Sequence, residues 1–184
     1  MAQKRTRRVP AGSAYVESMP PQVPAGCRVL VLGSMPGTRS LGQQQYYAHP
    51  LNLFWPFMEA LTGVPAALDY AERLARLNAA GVGLWDVLRA CERPGSLDSA
   101  VARHSEVPND LARLLRERPT IRALAFNGGL AWQAFRRHVL AGLPQALSRE
   151  IPQLHPLPST SPAHASVSRA EKLAQWRVLQ PYLE

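Results

Sequence analysis

The sequence predicts an α/β protein, a three-layer αβα sandwich around a central, mainly parallel four-stranded sheet. Three observations carry that expectation. Short apolar runs alternate along the chain with longer segments of helical periodicity. The run "RVLVLG" is continuously apolar after its arginine and bounded by glycine, the form of a parallel strand buried on both faces. Three strand ends open into polar loops, "GSMPG", "FNGG" and "LPSTSPAH", and ligands gather beyond the carboxyl ends of strands in such sheets.

Taken in order, residues 1–26 hold prolines at 10, 20, 21 and 24 and the basic cluster Lys4, Arg5, Arg7 and Arg8. They read as a flexible, basic, Pro-rich arm, with residues 27–184 as a single domain. The first strand is "RVLVLG". "HPLNLFWPFMEALTG" is helical, with Phe54, Phe57, Met58 and Leu61 on one face and Gly63 as its stop. "AALDYAERLARLNAAG" repeats the pattern with Leu68, Leu74 and Leu77, and "VGLWDVL" follows as a second strand. A helix is expected from Pro108, with Asn109 or Asp110 near its start and Pro119 beyond its end. "TIRALAFNGG" is a third strand backed by the helix "LAWQAFRRHVLAG". "IPQLHPLPSTSPAHA" is a fourth strand running into a hydroxyl-rich loop, and "SRAEKLAQWRVLQPYL" closes the chain as an amphipathic helix.

A chain of 184 residues that is 46% hydrophobic and 18% charged suits one globular domain and excludes bulk disorder. No apolar stretch approaches bilayer length, and the basic start is not followed by an apolar signal core, so a cytoplasmic protein is expected. Cys27 and Cys91 lack the paired spacing of a zinc site and are too few for a four-thiolate cluster. Two reduced thiols, no metal and no cofactor are expected. The net charge of +8 points to a polyanionic partner such as nucleic acid, the other reading being a solvated basic surface. Nothing marks a dimer surface, and a monomer is expected.

"GSMPG" alone could be a tight turn, and it is not a phosphate-binding Walker loop because no "GK[ST]" follows. The residues after it add more. Tyr46 and Tyr47 precede "AHP", and Asn52 stands two residues before Phe54-Trp55. An aromatic face can stack on a base, and an amide can match a base edge or hold a water. At least two of Phe54, Trp55 and Phe57 are expected in the core. Asp86, after the second strand, could contact a base or a water, or could cap a turn. Ser96 and Ser99 in "GSLDS" could bind phosphate or cap a turn. His49 fits a structural hydrogen-bonder better than an acid, and His104 and His138 fit the surface.

The stretch "GSMPG...SL...QYYAHPLNLFW" resembles the first motif of the uracil-DNA glycosylase superfamily, and its hypoxanthine-DNA glycosylase branch in particular. The mismatch-specific uracil glycosylases carry a similar loop, "GINPG" before "FAHPANRFW". The resemblance runs from about Arg28 to Leu179. It implies a monofunctional, cofactor-free enzyme that flips a deaminated base out of double-stranded DNA and hydrolyses its glycosidic bond. By the same resemblance Tyr47 stacks on the base, Asn52 and Asn127 are catalytic, and Asn127 also reads the base edge together with Ser34 and Met35. Ser159, Ser161 and Pro162 compress the phosphate backbone, and His164 enters the minor groove. Met35 stands where uracil glycosylases place Asp or Asn, and Ser159 where they place His or Asn, which favours hypoxanthine over uracil. The competing readings are a uracil-specific or broad-range glycosylase and a non-catalytic module that binds damaged DNA. A flavodoxin-like protein would explain the strands but not "YYAHPLN".

Overall fold

The computed structural model describes residues 14–147 and 149–184. The elements are β1 (Tyr15–Glu17), β2 (Val29–Gly33), α1 (Thr38–Gln43), α2 (Phe54–Thr62), α3 (Tyr70–Ala79), β3 (Val82–Asp86), β4 (Leu88–Glu92) and β5 (Val107–Pro108). They continue with α4 (Leu111–Glu117), β6 (Ala123–Asn127), α5 (Gly129–His138), α6 (Leu143–Ala146), β7 (Gln153–Leu157) and α7 (Arg169–Trp176). The four strands read from the sequence form one parallel sheet in the order β3-β2-β6-β7.

Alternation along these strands builds two cores. Leu30 and Leu32 of β2 and Leu124 and Phe126 of β6 face α4 and α5 through Leu111, Leu115, Ala131, Ala134 and Phe135. Val29, Val31, Ala123 and Ala125 face the other way, onto Phe54, Phe57 and Met58 of α2, Leu77 of α3 and Trp176 of α7. Both faces of the sheet are therefore covered, and a strand buried on both faces has to be apolar throughout. The helix ends follow local chemistry. Asp110 caps α4 by accepting from the Arg113 amide at 3.0 Å, and Ser168 with Glu171 forms a capping box on α7.

A second, antiparallel sheet in the order β1-β4-β5 was not expected. Only Val87 separates β3 from β4, so "VGLWDVLRACE" reads as one strand where the backbone changes sheet. The arm expected over 1–26 is corrected in its second part. Tyr15–Glu17 pairs with β4, Met19 is buried, and Gln22 exchanges backbone hydrogen bonds of 2.9 Å with Leu84. Residues 1–13, with Lys4, Arg5, Arg7 and Arg8, lie outside the described residues.

Trp176 is fully buried against Phe54 and Phe57, and its indole N–H donates to the Pro158 carbonyl at 3.0 Å. Trp176→Ala should lower the free energy of unfolding by about 3–5 kcal/mol, read by urea titration. A loss below about 1 kcal/mol would mean that α7 is not part of the cooperative core.

Candidate active site

The parallel register brings the predicted loops to one edge. Gly33 at the end of β2 lies opposite Asp86 at the end of β3, and Asn127 at the end of β6 lies opposite Leu157 of β7. Beyond these ends opens a cleft of about 570 Å³. Its lining includes Ser34, Met35, Tyr47, His49, Asn52, Asp86, Asn127, Ser159, Ser161, Pro162 and His164. Every site residue expected from the sequence thus reaches one cavity.

The "GSMPG" loop is held from behind by Arg93. Its guanidinium, 1% exposed, donates to the carbonyls of Gly95 (2.9 Å), Met35 (3.1 Å) and Pro36 (2.6 Å). Ser34, also buried, gives its hydroxyl proton to Asp98 Oδ1 at 2.6 Å. Ser96 Oγ accepts from the Thr38 amide and bonds the Thr38 hydroxyl, both at 2.9 Å, so this serine joins two loops. Arg93 and Asp98 escaped the sequence reading because charged residues in a Gly/Ser-rich loop look solvated. Met35 is 5% exposed and packs with the core of the α4–α5 side, presenting only its edge to the cleft.

Tyr47 has φ 56°, a left-handed backbone that costs a non-glycine residue about 1–3 kcal/mol. The conformation lays its ring on Phe54, with centroids 3.9 Å apart and planes at 21°. One ring face is therefore taken by Phe54, and the residue still lines the cleft. Asn52 Oδ1 accepts from the Phe54 amide at 3.0 Å, which helps satisfy the first turn of α2, and the residue lines the cleft. His49 accepts from the Leu51 amide through Nδ1 at 3.2 Å at the exposed rim.

Asn127 is locked onto Thr160. Its Nδ2 donates to Thr160 Oγ1 and its Oδ1 accepts from the Thr160 amide, both at 2.9 Å, while the amide faces the Tyr47 hydroxyl. Gly128 has φ 103°, and a Cβ there would stand 3.1 Å from Ser159 Cβ, so glycine lets the two loops meet. Ser159 and Ser161 accept from the amides of Ser161 and Ala163 at 3.2 Å, two successive hydroxyl turns that stiffen the loop around Pro162. The buried Lys172 donates to the His164 carbonyl from beneath.

The profile of the Uracil DNA glycosylase superfamily matches residues 20–180, nearly the whole described chain. The chain belongs to the uracil DNA glycosylase superfamily. It is accordingly a DNA glycosylase, a hydrolase of the N-glycosidic bond. It is 34% identical over 113 residues to a protein named Hypoxanthine DNA glycosylase from Methanosarcina barkeri, covering 61% of this chain and 70% of that one. A protein of the same name from Methanosarcina acetivorans is 38% identical over 101 residues, covering 54% and 63%. The solution structure of a candidate uracil DNA glycosylase from Methanosarcina acetivorans superposes with a TM-score of 0.76 at 29% identity, covering 92% of this chain and 98% of that chain.

In this glycosylase the cleft floor holds ionisable groups that the first motif does not supply. Asp86 is 3% exposed, and burial pushes its carboxyl up from 3.8 to about 7, against hydrogen bonds from Ser18 and Tyr46 and the pull of Arg93. Asp98 is exposed as a whole residue but turns its carboxyl onto Ser34. Lost hydration raises it, and Ser34 and Arg93 pull it back. Burial likewise raises the Tyr46 and Tyr47 hydroxyls, which stay protonated donors.

A carboxyl whose pKa rises on folding contributes its full stability below its unfolded value and loses it as pH climbs through the folded one. For Asp86 that window runs from about pH 4 to about pH 7. Asp86→Asn should therefore gain on the wild type by up to about 3 kcal/mol in denaturant titrations between pH 4.5 and pH 8. Parallel stability profiles would show that the carboxylate is ionised at little cost.

Proposed function

We propose that this glycosylase is monofunctional and releases hypoxanthine from deoxyinosine in double-stranded DNA. The observation that carries the reading is the pairing of two amide side chains, Asn52 and Asn127, on one cleft, with the buried Met35 where a carboxylate would orient water for uracil. The name borne by the two Methanosarcina relatives supports the same substrate.

Breaking the bond from C1′ to N9 leaves positive charge on the sugar and negative charge on the departing purine. Neutral donors fixed in advance stabilise that charge, a well-placed one being worth roughly 3–4 kcal/mol. Asn52 is suited to this role because its oxygen is occupied by the Phe54 amide and its nitrogen is left for a base or a water. Asn127 is suited to reading the purine edge, since both its bonds to Thr160 fix the amide plane. Tyr47 stacks with the face that Phe54 does not cover. Ser159, Ser161 and Pro162 press on the phosphates, and His164 and the exposed Arg39 flank the cleft.

Strand cleavage through a Schiff base needs an amine at C1′. Among the described residues the cleft lining contains no lysine, and Lys172 is turned onto the His164 carbonyl beneath the loop. Base removal alone is the expected outcome. Both cysteines are free and buried, and among the described residues no helix is long and apolar enough to cross a membrane.

Single-turnover assays on a duplex containing one deoxyinosine should release hypoxanthine, faster opposite thymine than in a stable pair because extrusion costs less there. Asn52→Ala should slow release about a hundredfold or more with DNA binding kept. Asn127→Ala should slow it similarly and also weaken binding, because the third loop loses its anchor. Excision of uracil as fast as of hypoxanthine would refute the substrate assignment, and tight binding without release of either base would favour a non-catalytic module.

A further inference from the structure

Asp86 is a buried acid on the cleft that the scheme above does not use. It closes β3 opposite Gly33 and is 3% exposed. One oxygen, Oδ2, accepts from the Ser18 hydroxyl at 2.7 Å. The other lies against Gly33 so closely that a Cβ at that position would stand 2.7 Å from it. Glycine at 33 thus leaves room for Oδ1 at the point where the strand ends meet the cleft, which both residues line, and the Tyr46 hydroxyl also bonds the carboxyl. The Tyr47 hydroxyl borders the same space, 3.7 Å from where that Cβ would stand.

The groups that face Asp86 are Ser18 from the segment after β1, Tyr46 and Tyr47 from the loop before α2, Arg93 beyond β4 and Asp98 beyond that. Among the described residues no cation forms an ion pair with it. Arg93 spends its donors on three backbone carbonyls, and Asp98 adds repulsion. The two tyrosines remain neutral. The environment therefore keeps a proton on Asp86 to about pH 7.

We propose that Asp86 is the general acid of the reaction, passing the proton on Oδ1 to an acceptor on the edge of the departing purine, O6 or N7. The inference rests on the hypoxanthine reading. The bond from C1′ to N9 breaks with its electron pair going to the base. Water adds its oxygen to C1′ and loses a proton to solvent, the base takes the Asp86 proton and leaves neutral, and the carboxylate is reprotonated from solvent. The sum is base-bearing DNA plus water giving abasic DNA plus free base. A fixed amide can only hydrogen-bond the charge on the purine, whereas a carboxyl with a pKa near the working pH can neutralise it. The ionised carboxylate would instead repel the leaving base, so both effects give the same pH dependence.

The test is the single-turnover rate of hypoxanthine release from the deoxyinosine duplex between about pH 5.5 and pH 9. The wild-type rate should be level below about pH 7 and fall roughly tenfold per pH unit above it. Asp86→Asn, which keeps shape and a donor, should lose that descending limb and be about a hundredfold slower near pH 6. In Ser18→Ala the limb should move to higher pH, because the lost hydrogen bond favoured the ionised form. A merely structural role for either residue would not move the limb. A flat wild-type profile overturns the proposal, as does Asp86→Asn with the wild-type limb or with the wild-type rate. Should Asp86→Asn fail to fold, the Ser18→Ala limb decides, and an unshifted one overturns the assignment. No hypoxanthine release by the wild type at any pH, with normal DNA binding, overturns the substrate reading and this proposal with it.

Discussion

The cleft depends on Thr160, a residue at which three of its segments meet. Thr160 is fully buried, and every polar group it has is used: the amide and hydroxyl pair with Asn127, and the carbonyl accepts from the Leu53 amide at 3.0 Å. The first contact joins the end of β6 to the loop after β7, and the second joins that loop to the start of α2, where Asn52 and Tyr47 are placed. Inside a protein such a closed set of bonds is stronger than in water and costly to leave half made. The loops therefore adopt their geometry together, which suits a site that must receive an extruded base without reorganising.

The centre of the sheet was legible in the sequence because β2 and β6 are buried on both faces, so "VLVL" and "ALAF" carry no polar residue to blur them. The loops that follow were legible because glycine, hydroxyl and amide residues have no other reason to interrupt apolar strands at these points. What escaped is instructive. Arg93, Asp98 and Ser18 lie in segments whose composition reads as solvent-exposed, and only tertiary pairing draws their polar atoms inward. The small antiparallel sheet was hidden by its size, since β5 has two residues and β1 three. Thr160 sits among serines and a proline, and nothing in "STSP" separates the residue that anchors the loop from those on its surface.

Burial of charge follows one pattern throughout the site. Arg93 lies behind the first loop with its donors on carbonyls and, among the described residues, without a salt-bridge partner, so its charge is spread into the backbone of the residues that line the cleft. That arrangement orients the peptide dipoles of Met35 and Pro36 and holds the loop in a single shape. Lys172 does the same to the third loop from below, through the His164 carbonyl. Two cations thus shape the walls from behind while the lining of the cleft includes amide, hydroxyl, aromatic and carboxyl groups. A cleft of that kind can admit a neutral base and still stabilise the charge that appears on it during departure.

Seen this way, Met35 and Asp86 are two halves of one substitution of chemistry. A carboxylate on the first motif would sit beside the sugar and act on water, which is useful when the leaving base already carries its charge well. Here that place is filled by a buried thioether side chain, and the acidic group stands one strand over, at the end of β3, with its proton retained by burial. Gly33 and Asp86 are register partners, so the exchange needs no change in the fold, only a glycine small enough to leave room for Oδ1. On the proposed mechanism the specificity of the site lies in which atom receives a proton, and a purine offers such an acceptor in O6 or N7. The residues that set this preference are Gly33, Asp86 and the Ser18 hydroxyl behind it, none of which belongs to the asparagine pair.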